Sequence, residues 1–75
     1  MGLNATGKFR QVATEMVNDL KAGCDDDQDA IKGFDAINEL IKKADSIDAI
    51  ECILMDEIGF SSEELIAIYR GALEL

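Results

Sequence analysis

Acidic side chains are the most abundant reactive groups in this chain. The 75 residues include 16 Asp and Glu, 7 Lys and Arg, and no His. Asp25, Asp27 and Asp29 have the spacing of the first three ligands of an EF-hand calcium loop. The match then ends, because Ala30 stands where the loop needs Gly and Ala36 where it needs a bidentate Glu. We therefore predict no metal site here, and a solvated run that precedes the second helix.

The carboxylates also lack partners for catalysis. A general acid or base needs a pKa shifted by burial or by a neighbouring charge, and helical spacing places these acids on polar faces. The chain has no His, no pairing of Ser with a base, and no Gly-rich phosphate loop after a strand. We expect a protein that is not an enzyme and that binds no cofactor.

Two cysteines, Cys24 and Cys52, are too few for the usual zinc sites. Two reduced thiols are the expectation, and a single disulfide between them is the alternative.

Ser46 is the one residue with a candidate covalent role. The segment Asp45-Ser46-Ile47 resembles the Asp-Ser-Leu/Ile attachment site of acyl carrier proteins. That resemblance implies an acidic helical protein with phosphopantetheine attached to Ser46 and with an acidic face that partner enzymes read. Lys43 stands where the family usually has Gly. A plain helix-start residue is the competing interpretation of Ser46.

Negative charge is concentrated in the second half of the chain. Residues 44–75 hold eight acids and one base, Arg70, and so carry −7 of the net charge of −9. This charge argues against direct contact with nucleic acid, whose phosphates bind Lys and Arg. It favours a protein partner with a basic surface. The acids of the third and fourth helices that we predict to bind this partner are Asp48, Glu51, Asp56, Glu57, Glu63 and Glu64.

Four helices are predicted to carry these side chains. Apolar residues recur at helical spacing over residues 8–22, 28–44, 46–58 and 62–74, and no segment alternates with the period of a strand. The fold class is therefore all-α, a small bundle of about four short helices in a single domain over residues 1–75. Residues 1–7 are predicted to be frayed.

The break between the second and third helices is the boundary that the pattern defines least. The apolar stripe changes phase by about a third of a turn near residue 45. This change favours a break at residues 45–46, with Asp45 as the helix cap, over one continuous helix. Gly33, inside the second helix, indicates either a local loss of stability or a close contact with another helix.

The corner between the third and fourth helices is the best-defined local structure. Gly59 suits a left-handed helix end. Ser61 and Glu64 form a capping box, and Phe60 and Leu65 have the spacing of a hydrophobic staple.

Apolar residues appear in excess of what one bundle of this size can cover, notably Ile53, Met55, Ile66 and Leu73. We therefore predict a homodimer. No apolar run approaches the ~18 residues of a membrane span, so we expect no membrane association and a cytoplasmic location.

The sequence thus favours a non-enzymatic, acidic protein-interaction module. One special case is a regulator or inhibitor, of the type that phages and mobile elements encode, that binds a basic surface of a target protein. The alternatives are the carrier function at Ser46 and a structural homo-oligomeric helical domain whose charges serve only solubility.

Overall fold

A computed structural model describes residues 4–75 and shows a bundle of four helices. These are α1 (Ala5–Ala22), α2 (Gln28–Lys43), α3 (Ile47–Ile53), which continues as a π-helical segment (Leu54–Ile58), and α4 (Ser62–Leu73). Within residues 4–75 there is no strand, so the predicted all-α class is confirmed. No helix in that range is long and apolar enough to cross a membrane.

Short polar side chains determine where the first two helices begin. The Asn4 side chain accepts a hydrogen bond from the amide of Gly7 at 2.7 Å, so α1 begins at Ala5, three residues before the predicted start. Asp27 caps α2 in the same way, by accepting from the amide of Ala30 at 3.1 Å. Fraying was predicted for residues 1–7. Of these, residues 1–3 lie outside the described residues, and residues 5–7 belong to α1.

The corner at residues 58–65 has the predicted helix end at Gly59, the predicted N-cap at Ser61 and the predicted apolar pair, but only one of the two hydrogen bonds of a capping box. Gly59 has φ 81°, and its amide donates to the carbonyl of Leu54, which ends the π-helical segment. The Ser61 hydroxyl accepts from the amide of Glu64 at 3.4 Å. Phe60 and Leu65 are both buried in the core, as a hydrophobic staple requires.

Helices α2 and α3 are separate, as the phase change of the apolar stripe favoured. The chain is extended at Ala44 and at Ser46. The predicted cap was wrong by one residue, because Ser46 has the extended conformation of an N-cap and its hydroxyl accepts from the amide of Ala49 at 3.2 Å.

An arginine on α1 holds this break in place. The Arg10 side chain donates from Nε to the carbonyl of Ile41 at 3.2 Å and from Nη2 to the carbonyl of Ala44 at 2.5 Å. The last carbonyls of a helix have no partner inside the helix and carry partial negative charge. Arg10 therefore stabilises the end of α2 and fixes it against α1.

The core is built from every helix. Among residues 4–75 no polar or charged residue is buried, and the buried side chains are all apolar: Phe9, Ala13, Val17, Ile37, Ile41, Ile50, Leu54, Phe60, Leu65 and Ile68. The predicted stripes are wider than the faces that are buried. Leu20, Leu40, Ile66 and Leu73, which belong to those stripes, are exposed.

Gly33 and Gly71, which lie inside α2 and α4, have different surroundings. A Cβ atom built on Gly33 meets nothing within 4 Å, so Gly33 does not mark a close contact. A Cβ on Gly71 would lie 3.0 Å from Cγ1 of Val12, which shows that α4 lies close to α1 at this point.

This difference predicts opposite responses to the same substitution. Gly33→Ala should raise the free energy of unfolding by about 0.5–1 kcal/mol, since alanine removes the entropic cost of glycine in open space. Gly71→Ala should give no such gain, because the added methyl group presses on Val12, which is stiff at χ1. Urea unfolding of both variants measures the difference.

Repeating Gly71→Ala in a Val12→Ala background is the control. The gain should reappear there, since the side chain that the new methyl group meets has been shortened. Equal gains at positions 33 and 71 in the otherwise unchanged chain would contradict a close approach of α4 to α1.

Candidate functional site

The predicted partner-binding acids all lie outside the core. Asp48, Asp56, Glu57, Glu63 and Glu64 are exposed, and Glu51 is half-buried. Asp48 and Glu51 are on α3, Asp56 and Glu57 are on the π-helical segment, and Glu63 and Glu64 are in the first turn of α4.

Asp48 and Glu51 are brought together around Tyr69 of α4. The Tyr69 hydroxyl donates a hydrogen bond to the Glu51 carboxylate. This hydrogen bond, with smaller effects from burial and from the negative charges of Glu51 and Asp48, raises the pKa of Tyr69 from 10.0 to about 12. Tyr69 therefore keeps its proton to a higher pH than an unperturbed tyrosine does.

Beside this pair is an apolar cavity of about 340 Å³, which we call the end cleft. Residues from the starts of α1 and α3 and from the end of α4 line it: Ala5, Lys8, Phe9, Ile47, Tyr69, Ala72 and Leu73. The rings of Phe9 and Tyr69 meet at a centroid distance of 4.8 Å and an interplanar angle of 56°. Leu73 is 86% exposed, the highest value among the large apolar residues that the structure describes.

The other acids lie on different surfaces. Glu64 lines a cavity of about 350 Å³ against α1, together with Asp19, Leu20, Met16 and Phe60. Glu63 lines a shallow, open depression on α4 with Ile66, Ala67, Arg70, Gly71 and Glu74. Successive residues of a helix differ in direction by about 100°, so Glu63, Glu64 and Tyr69 point three different ways from α4. The acids therefore form separate areas on the described surface. Of these acids, only Asp48 and Glu51, beside the end cleft, adjoin Tyr69.

Some residues of these surfaces were not predicted as site residues. The sequence pattern gave no functional role to Lys8, Phe9, Asp19 or Ile47. Amphipathic spacing ranks residues within one helix but does not say which ends of different helices meet. No signal in the sequence identified the end cleft.

The other residues considered for chemistry have structural roles or free side chains. Ser46 is exposed and caps α3, and the carrier-type attachment at this residue stays a prediction. Asp27 caps α2 through its carboxylate, whereas Asp25 and Asp29 are exposed. Across residues 4–75 no group of three or more Cys, Asp or Glu is placed to hold a metal ion. Cys24 and Cys52 are free, as expected, so the disulfide alternative is wrong.

Comparison of the chain with protein-family models, with curated proteins and with solved structures found no match.

The raised pKa of Tyr69 can be observed directly, because the chain has one Tyr and no Trp. The tyrosinate absorbance should titrate with a midpoint near pH 12, and in Glu51→Gln the midpoint should move towards 10.0. The folded state holds its proton more tightly than the unfolded state. Tyr69 therefore adds stability below pH 10, and this contribution is lost as the pH rises from 10 to 12.

Glu63→Gln is the matched control for this titration. It removes the same charge from the same protein at a site away from Tyr69 and should leave the midpoint nearly unchanged. Equal shifts in the two variants would mean that net charge, and not the hydrogen bond to Glu51, raises the pKa of Tyr69.

Proposed function

We propose that this chain is a non-enzymatic, acidic protein-interaction module that binds a basic surface of a target protein in the cytoplasm. The observation that carries the proposal is the excess of uncompensated negative charge in the second half of the chain. Eight acids accompany one base there, and each of the six acids predicted to bind the partner lies outside the core.

The acids of α3 and α4 are available to a partner. The ion pair recorded within residues 4–75 joins Lys21 of α1 to Asp35 of α2 at 2.6 Å, far along the chain from these acids. Arg70 lines the same depression as Glu63, and Lys8 lines the end cleft beside Asp48 and Glu51. Within residues 4–75 neither cation forms an ion pair with these acids, so the carboxylates can still attract an outside cation. Such charges raise the rate of association with a basic surface and select against acidic partners.

A regulator or inhibitor is the special case that this charge supports best. Carboxylates on a rigid helical scaffold can occupy a groove whose Lys and Arg side chains otherwise bind phosphates. The proposed inhibitor would thus compete with a nucleic acid for its target without itself binding nucleic acid.

Charge-neutralising variants test the proposal. In one variant, Asp48→Asn, Glu51→Gln, Glu63→Gln and Glu64→Gln are combined. In the matched control, Glu15→Gln, Asp25→Asn, Asp26→Asn and Glu39→Gln remove four exposed acids from the first half of the chain. Both variants have the same net charge, so they differ only in where the charge is lost.

The measurement is capture of lysate proteins on immobilised chain at low and high salt. At low salt, the first variant should capture about tenfold less of the partner than the unchanged chain does. High salt should release the partner from the unchanged chain. The control should keep its partner. Equal losses in both variants, or binding that salt does not weaken, would contradict the proposal and favour charges that serve only solubility.

Self-association is a second proposal, carried by exposed apolar residues. Met55 and Ile66 are each 50% exposed, which agrees with the apolar excess predicted for them. Ile53 does not contribute as predicted, because it is half-buried and packs against the core.

We propose a homodimer in which Ile66 is buried against a second copy. Sedimentation equilibrium at micromolar concentration should show a dimer for the unchanged chain and a monomer for Ile66→Asp. A monomer before the substitution would contradict the dimer.

A further inference from the structure

We propose that the end cleft receives an aliphatic side chain from a basic amphipathic helix of the target protein, while Asp48 and Glu51 pair with bases on that helix. This inference rests on the proposed function and adds to it the chemical character of the partner and its point of attachment.

The apolar half of the site comes from the walls of the cleft. Phe9, Tyr69 and Leu73 surround a volume of about 340 Å³, and Leu73 is 86% exposed at its edge. A volume of this size accommodates an aliphatic side chain together with part of its neighbour. An exposed apolar surface of this kind beside polar groups is typical of an interaction site.

The aromatic wall is held in place before a partner arrives. The Tyr69 ring is fixed from one side by its contact with Phe9 and from the other by its hydrogen bond to Glu51. Tyr69 is 39% exposed, so the fixed ring still offers surface to a partner. Aromatic residues that are already ordered lose little conformational entropy on binding and are frequent anchors of interfaces.

The charged half of the site selects the occupant. Asp48 directly follows the cleft-lining Ile47, and Glu51 accepts the hydrogen bond from the cleft-lining Tyr69. A second copy of this chain would bring its own −9 charge to these carboxylates. A second copy in the cleft is therefore disfavoured by repulsion, whereas a helix with Lys or Arg is attracted to Asp48 and Glu51.

The position of Lys8 sets the orientation of that helix. Lys8 lines the cleft from α1, and the two acids flank it from α3. The bases of the partner must therefore face α3, with its aliphatic residue over Phe9 and Leu73. Residues three or four apart on a helix lie on the same face, so one helical turn can present an aliphatic residue and a base together.

The test uses a synthetic amphipathic peptide of Leu and Lys, about 18 residues long so that it can form a helix. A second peptide keeps every Lys but has Ser in place of each Leu. Fluorescence anisotropy of the labelled peptides measures their affinity for the full chain and for three variants. Leu73→Ser opens the wall of the cleft, and Ala72→Leu fills the cleft. Leu40→Ser is the matched control, since it also replaces an exposed leucine with serine, on α2 and outside the cleft.

The Leu and Lys peptide should bind at least about tenfold more weakly to Leu73→Ser and to Ala72→Leu, and within about twofold of its original affinity to Leu40→Ser. The Ser peptide should bind weakly to all four proteins. Equal weakening by Leu73→Ser and Leu40→Ser, or no weakening by either cleft variant, would overturn the inference.

Failure of the inference can be told apart from failure of the proposed function. If Asp48→Asn with Glu51→Gln weakens the binding of both peptides equally while the cleft variants have no effect, an acidic binding face remains and the cleft is not its anchor. If neither the charge variants nor the cleft variants change the affinity, both proposals fall. Circular dichroism of each variant verifies that it is folded.

Discussion

One face of α1 is the constraint on which the rest of this fold depends. Helix α1 packs against α2, α3 and α4, and within residues 4–75 it is the main partner of α4. Its side chains Phe9, Ala13 and Val17 are fully buried. The small Ala13 and the absence of a side chain at Gly71 allow neighbouring helices to come close, and close packing is where most of the stability of a short helix originates. Without α1, the three other helices would have no common surface on which to bury their apolar faces.

Helix α4 is attached to the bundle mainly through α1, and this explains why a cleft forms at one end of the bundle. Because α4 is held mainly by α1, its last turn is not packed tightly against the start of α3. The gap is lined by apolar side chains and is bridged by the hydrogen bond from Tyr69 to Glu51. A polar bridge over an apolar gap keeps the two helices in register without filling the space between them. The same arrangement places two carboxylates beside Tyr69, which lines the same cleft as Leu73, the most exposed large apolar residue of α4.

Much of the fold could be predicted from the sequence because its signals are local. The corner at Gly59 and Ser61 depends on residues that are neighbours in the chain, and both have the predicted roles. Composition also indicated that Ile66 and Leu73 exceed what the bundle can cover, and both are exposed, because a short bundle buries only a narrow face of its outer helix. The sequence could assign the acids to the surface. It could not divide them among separate areas, because that division depends on the direction in which each residue points.

The sequence by itself determined the all-α class, the number of helices, the corner at Gly59 and Ser61 and the negative charge of the second half. These properties follow from spacing, from short polar side chains at helix starts and from composition, none of which requires knowledge of distant contacts. Only the tertiary structure decided how α2 ends, because the carbonyls of Ile41 and Ala44 are bonded by Arg10, more than 30 residues earlier in the chain. It also decided which acids lie beside the end cleft. Both outcomes depend on contacts between residues far apart in sequence, and amphipathic spacing within a single helix carries no information about them.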